Sequence, residues 1–108
     1  MSGPRSVASL LMLLNGVAHV VHGFLDAAVI MYVFGAIYLG VGLVLRREGV
    51  LGVWLGALLP LPGALAGGQA ALASGDPLIA AYVAINVTVV AICIWLLVQR
   101  RRERPSET

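Results

Sequence analysis

Long apolar runs separated by very short polar breaks dominate the chain. Four runs stand out, about Arg5 to His22, Ala27 to Leu45, Val50 to Ala73 and Pro77 to Val98. Each is near the roughly 20 mostly apolar residues a helix needs to cross a bilayer. The breaks read "GFLD", "RREG" and "SGDP". Gly23 is expected to stop the first helix and Asp26 to N-cap the second. Asp76 and Pro77 suit the N-cap and first position of the fourth. Connections this short make successive spans antiparallel neighbours. The pattern predicts an all-α membrane protein: a four-transmembrane-helix bundle forming one domain over residues 1–108, with 99–108 a short basic tail.

Composition sharpens that expectation. The hydrophobic fraction is 60% and the charged fraction 11%, against about 25% charged in an ordinary soluble domain. A soluble chain of 108 residues has no core large enough to hide such a surface, whereas a bilayer accepts it. The net charge of +2 matters less than its placement. Arg5 precedes span one, Arg46 and Arg47 follow span two, and Arg100, Arg101, Arg102 and Arg104 follow span four. In a four-span thread all of these lie on one side, and the opposite connections hold Asp26 and Asp76. The positive-inside rule then puts both termini in the cytoplasm, in a plasma (inner) membrane. Trp54 and Trp95 fall near the inner ends of their spans, and Phe24 and Tyr82 near the outer ends, where aromatic rings favour the interface. Arginines clustered beside apolar spans argue against a nucleic-acid partner. A lone cysteine, Cys93, excludes an intrachain disulfide and a cysteine-based zinc site.

The first residues also carry some features of a signal peptide, with Arg5 as the charged region. The small-residue cleavage pattern is poor, and the apolar run continues past the histidines. Cleavage would leave three spans with the C-terminus still inside.

An internal echo links the two halves. "DAAVIMYV" begins at Asp26 and "DPLIAAYV" at Asp76, and each segment runs on to an arginine cluster and a glutamate. At the same offset His19 meets Gln69. Two tandem helical hairpins related by a pseudo-two-fold axis along the membrane normal would produce this echo.

Helices in lipid associate through close packing, so small residues mark contact faces. Span three places Gly52, Gly56, Gly63 and Gly67 on one face; Ala36 and Gly40 mark span two; Ala80, Ala84, Thr88 and Ala91 mark span four. The span-three face is also suited to packing against another copy or another membrane protein, and a homo-oligomer is expected. Pro60 and Pro62 predict a kink in mid-span, because proline removes a backbone donor and clashes with the preceding turn.

The candidate chemistry lies in "NGVAHVVHGFLD", residues 15–26. On an ideal helix Asn15, His19, His22 and Asp26 project within about 60° of one another. That stripe descends from the outer end and stops halfway, which describes a pocket open to the exterior. Gln69, Tyr82 and Asn86 are placed to join it, with Asp26 and Asp76 at the mouth. Buried polar groups in membrane spans usually face the bundle interior. A plain structural role competes for each: Asn15 and Asn86 as interhelical hydrogen-bond partners, His22 on the last carbonyls of its helix, Asp26 as a cap. Among ligands, one divalent metal suits His19 and His22, three residues apart, with an aspartate adding oxygen and dimerisation completing the set. Proton or cation coupling through histidine is a second reading. A haem with two axial histidines would need two chains, since both histidines sit on one helix. No cofactor is otherwise called for, and no catalytic constellation of serine, histidine and acid, of paired buried carboxylates, or of a phosphate-binding glycine loop is present. The competing function is an accessory membrane subunit docking through its glycine-rich third helix.

Length and span count are similar to those of the small multidrug resistance transporters, which are four-helix dimers. That family places a glutamate within the first span, and no predicted span here holds an acidic residue. Neither activity nor site residues carry over.

Overall fold

The computed structural model describes residues 3–102; Arg104 and the end of the basic tail lie outside them. Helices run α1 (Gly3–Asp26), α2 (Val29–Arg46), α3 (Leu51–Leu58), α4 (Pro60–Ser74) and α5 (Pro77–Arg102). Helices α3 and α4 form one interrupted span, so the described residues contain four apolar helical segments long enough to cross a membrane. The molecule is a four-helix bundle of a multi-pass membrane protein. Its two ends differ chemically: Arg5, Arg46 and Arg100 mark one, and Asp26 and Asp76 the other. Leucine, valine and phenylalanine side chains cover the outside of the helices, Leu14, Val21, Phe24 and Leu72 among them. Lipid makes such a surface stable.

The α1–α2 pair is closed by glycines. Gly16 and Gly35 cross backbone to backbone: a Cβ on Gly16 would lie 2.9 Å from Gly35 O, and one on Gly35 the same distance from Gly16 O. A Cβ on Gly42 would lie 2.8 Å from the Leu13 side chain. Ser9 Oγ donates to Gly42 O at 2.8 Å, joining the helices nearer the arginine end. Ala36 and Gly40, the small residues expected to make this contact, face outward, and a Cβ on Gly40 would meet nothing within 4 Å. The working spacing is seven residues, Gly16 to Gly23 and Gly35 to Gly42. A seven-residue repeat keeps one face in contact along a left-handed crossing.

The boundary between α1 and α2 differs from expectation. Gly23 does not stop α1; it is a contact glycine, and a Cβ there would sit 3.0 Å from Ala28 O and 3.1 Å from Met31 Cβ. The helix continues through Asp26 and ends at Ala27, which takes a left-handed φ of 51°. Ala28 N then donates to Gly23 O at 3.0 Å, closing the end in a Schellman-like turn. Asp26 therefore caps nothing: the N-cap of α2 is Ala28, which makes no side-chain cap bond. At α5 the expectation holds, with Leu78 N donating to Asp76 Oδ1 at 2.9 Å and Pro77 opening the helix.

The hydrogen-bond ladder of the third span is interrupted beyond Leu59, whose own backbone stays helical at φ −66° and ψ −34°. Pro60 and Pro62 have no N–H to offer the carbonyls of Gly56 and Leu58, four residues earlier. Toward the arginine end, α3 packs against α2 and α5. A Cβ on Gly56 would lie 2.5 Å from Cys93 Sγ, and one on Gly52 2.8 Å from Val44 O. These two glycines are engaged within the chain. Here too lies the core, with Met12, Tyr38, Val41, Leu45, Val53, Val89 and Cys93 all buried. Arg5 fastens this end: its guanidinium donates to Leu45 O at 2.7 Å, to Gly49 O at 2.8 Å and to Arg47 O. It thereby satisfies carbonyls at the end of α2 and in the following loop, which a helix terminus otherwise leaves unpaired.

Toward the aspartate end the bundle is looser. Helix α4 packs on α5, α1 packs on α2 and α5, and α2 and α4 make little direct contact. The small face expected on span four, Ala80, Ala84, Thr88 and Ala91, points outward. Helix α5 instead buries Tyr82, Asn86, Val89, Val90 and Cys93.

Candidate functional site

The gap between α2 and α4 is a cavity of about 220 Å³. It reaches from Met31, Ala70 and Ile79 near the aspartate end to Tyr38, Gly63 and Asn86 in mid-bundle, and His19, Phe34 and Tyr82 also line it. Helix α4 contributes only Gly63, Ala66, Gly67 and Ala70, so its wall carries nothing larger than a methyl group. Aromatic rings form much of the remainder. His19 lies edge-on to Tyr38 at 5.1 Å between centroids and against Tyr82 at 4.0 Å. Phe34 and Tyr38 stack at 6.0 Å.

His19 is only 6% exposed. Its Nδ1 lies 2.8 Å from Asn15 O. A carbonyl only accepts, so Nδ1 carries the proton, and in the neutral ring Nε2 is left with a bare lone pair. No described residue hydrogen-bonds Nε2, yet it is not sealed among the buried unpaired atoms. The ring lines the cavity.

Beneath His19 runs a hydrogen-bond chain across three helices. Asn15 Nδ2 donates to Asn86 Oδ1 at 2.7 Å, and Asn86 Nδ2 donates to Tyr38 Oη at 3.1 Å. All three residues are essentially buried. Since the Tyr38 oxygen accepts, its own proton stays available, and no described acceptor takes it. Gly63 makes room for that hydroxyl: a Cβ there would overlap Tyr38 Oη and approach Asn86 Nδ2 at 3.0 Å. Asn15 Oδ1 is buried without a partner among the described residues, a costly arrangement.

A second chain leads to the surface. His22 Nε2 lies 2.7 Å from Asp26 Oδ2, and His22 Nδ1 lies 3.3 Å from Tyr82 Oη. With Nε2–H donating to the carboxylate, Nδ1 accepts from the tyrosine hydroxyl, which also reaches Ala18 O at 3.4 Å. Tyr82 thus belongs to the interior, 8% exposed, rather than to an interfacial aromatic belt.

The structure brings His19, Tyr82 and Asn86 to the cavity wall, with Asn15 behind Asn86 and His22 behind Tyr82. Gln69 is exposed and outside the lining, Asp76 is occupied in capping α5, and Asp26, with its side chain 62% exposed, pairs with His22. Among the described residues no group of three or more histidine, cysteine, aspartate or glutamate side chains gathers as a metal site. Both His22 nitrogens already have partners. Sequence reasoning missed Phe34 and Tyr38. The signal available was their spacing of four and the position of a tyrosine in mid-span, away from the interface that tyrosines favour.

Comparison with protein-family models, with curated proteins and with solved structures gives no match to this chain.

Proposed function

We propose that the protein is a small-molecule-binding bundle of the plasma (inner) membrane, with both termini cytoplasmic and its binding cavity in the exterior half. The observation that carries this reading is His19, a buried ring that lines the cavity and has no described partner at Nε2. A ligand donor in the cavity would supply that nitrogen with the hydrogen bond that no described residue gives it. Orientation rests on the arginines at one end and the aspartates at the other. Tags at the two termini reporting from opposite sides of the bilayer would overturn it. The tandem-hairpin relation draws support from the repeated Asp-to-Tyr-Val motif, although Tyr32 is partly exposed where Tyr82 is buried.

The test is a thermal-shift panel of neutral, cationic and anionic small molecules and divalent metals on detergent-purified protein. Ala66→Trp narrows the cavity from its small-residue wall. A compound that stabilises the wild type and loses its effect in Ala66→Trp supports the reading. A panel with no hits, or hits indifferent to that substitution, rejects it.

An accessory role is the second reading, favoured by the outward face of Ala80, Ala84, Thr88 and Ala91. Such a face admits close approach of another membrane helix, from a second copy or a different protein. Ala84→Leu should then shrink the detergent-extracted assembly; an unchanged size removes this reading.

A further inference from the structure

The cavity is selective in size, shape and polarity, and resting on the binding reading above, we infer that its ligand is a neutral single-ring molecule whose hydroxyl or N–H donates to His19 Nε2. Size sets the first limit. An apolar cavity of roughly 150 Å³ takes benzene, whereas drug-sized pockets run from about 300 Å³ upward. The space between the helices, about 220 Å³ and partly open at the exposed Ala66 and Ala70, takes one ring with one or two small substituents within it. Shape sets the second. The α4 wall of Gly63, Ala66, Gly67 and Ala70 offers nothing larger than a methyl group, and the rings of Phe34, Tyr38 and Tyr82 supply aromatic surface from the other helices. A planar ring fills such a slot better than a branched aliphatic, because dispersion needs matched surfaces.

Polarity sets the third limit. Among the residues lining the cavity none is aspartate, glutamate or arginine. An ionised ligand would lose its hydration with no counter-charge to meet it. Two lining residues have hydrogen-bonding capacity that no described residue uses: an acceptor, His19 Nε2, and a donor, the Tyr38 hydroxyl proton. Their rings stand 5.1 Å apart, centroid to centroid. A ligand hydroxyl meets the histidine as donor, and a second oxygen, where present, accepts from Tyr38.

The probes are phenol, toluene and benzoate, titrated calorimetrically into the full-length protein in detergent. Each affinity is corrected for partitioning into protein-free micelles. Phenol should bind about tenfold more tightly than toluene, the discrimination expected when a buried acceptor gains or lacks its donor. Benzoate should bind more weakly than both. His19→Phe should bring phenol to within about twofold of toluene, as loss of one hydrogen bond requires. The wild-type comparison stands alone if that variant does not fold. Equal binding of phenol and toluene, both lost in Ala66→Trp, overturns the donor requirement but leaves the cavity as a binding site. Preference for benzoate overturns neutrality. If no probe binds, this inference fails, and a panel equally without hits takes the binding reading with it.

Discussion

Asn86→Leu removes the centre of the buried hydrogen-bond chain while keeping the branching of the side chain. It deletes the 2.7 Å bond from Asn15 and the 3.1 Å bond to Tyr38. Interhelical hydrogen bonds in membranes average about 0.6 kcal/mol, so the two together contribute roughly 1.2 kcal/mol. The larger effect is on what remains. Asn15 already holds an unpaired Oδ1 and now loses its Nδ2 partner, and an orphaned buried group costs about 1–3 kcal/mol. The expected destabilisation is therefore about 2–4 kcal/mol, in the range of a large single-site effect. Reversible unfolding in mixed micelles, followed against the mole fraction of denaturing detergent, measures it. The double variant Asn15→Leu/Asn86→Leu supplies the sign test. With no amide left to strand, it should be more stable than Asn86→Leu alone by about 1 kcal/mol or more, since replacing both partners by apolar groups can be nearly neutral. The reasoning is refuted if Asn86→Leu costs less than about 0.5 kcal/mol, or if the two substitutions simply add.

Four further outcomes follow from local geometry, each read by the same unfolding assay. Gly35→Ala should destabilise by about 1–3 kcal/mol, because its Cβ would meet Val20 Cγ2 at 2.6 Å and Gly16 O at 2.9 Å; Gly40→Ala, with open space around it, should be neutral or stabilise by up to about 1 kcal/mol. Ala27→Gly should stabilise by about 1 kcal/mol by relieving the left-handed backbone at φ 51°. Asp26→Asn should change stability by less than about 1 kcal/mol, since its bond to His22 is at an exposed carboxylate.

The lengths and order of the helices were legible because lipid imposes them: an apolar run of membrane length has few alternatives to a helix. The interrupted hydrogen-bond ladder at Pro60 and Pro62 was legible because the missing N–H is a local fact, while Leu59 between the two helical segments keeps helical φ and ψ. Helix faces were harder. Small residues at a spacing of three or four mark one side of α2 and of α5, and the sequence does not say whether that side meets a neighbour. Ala36 and Gly40 go to the outside while Gly35 and Gly42 make the contact. Gly23 was misread for a related reason, since a glycine at a helix end and a glycine at a crossing look alike in one dimension. The polar stripe pointed to His19, Asn15 and Asn86 because buried polar groups in a span must find partners. It also drew in Gln69, which lies outside the lining. Tyr38 and Phe34 were invisible as site residues because their role comes from the divergence of α2 and α4, a tertiary fact. Arg5 was read only as a charge that sets orientation, whereas its fork also holds three carbonyls at the end of α2 and the following loop.

The most direct test of the account is the protonation pattern of His19, observed by nitrogen NMR of imidazole-labelled protein in nanodiscs and assigned by comparison with His22→Gln. The account predicts a neutral ring with the proton on Nδ1 and a pyridine-type Nε2 that shifts when phenol is added. A proton resident on Nε2, or an Nε2 resonance indifferent to saturating phenol, would contradict it.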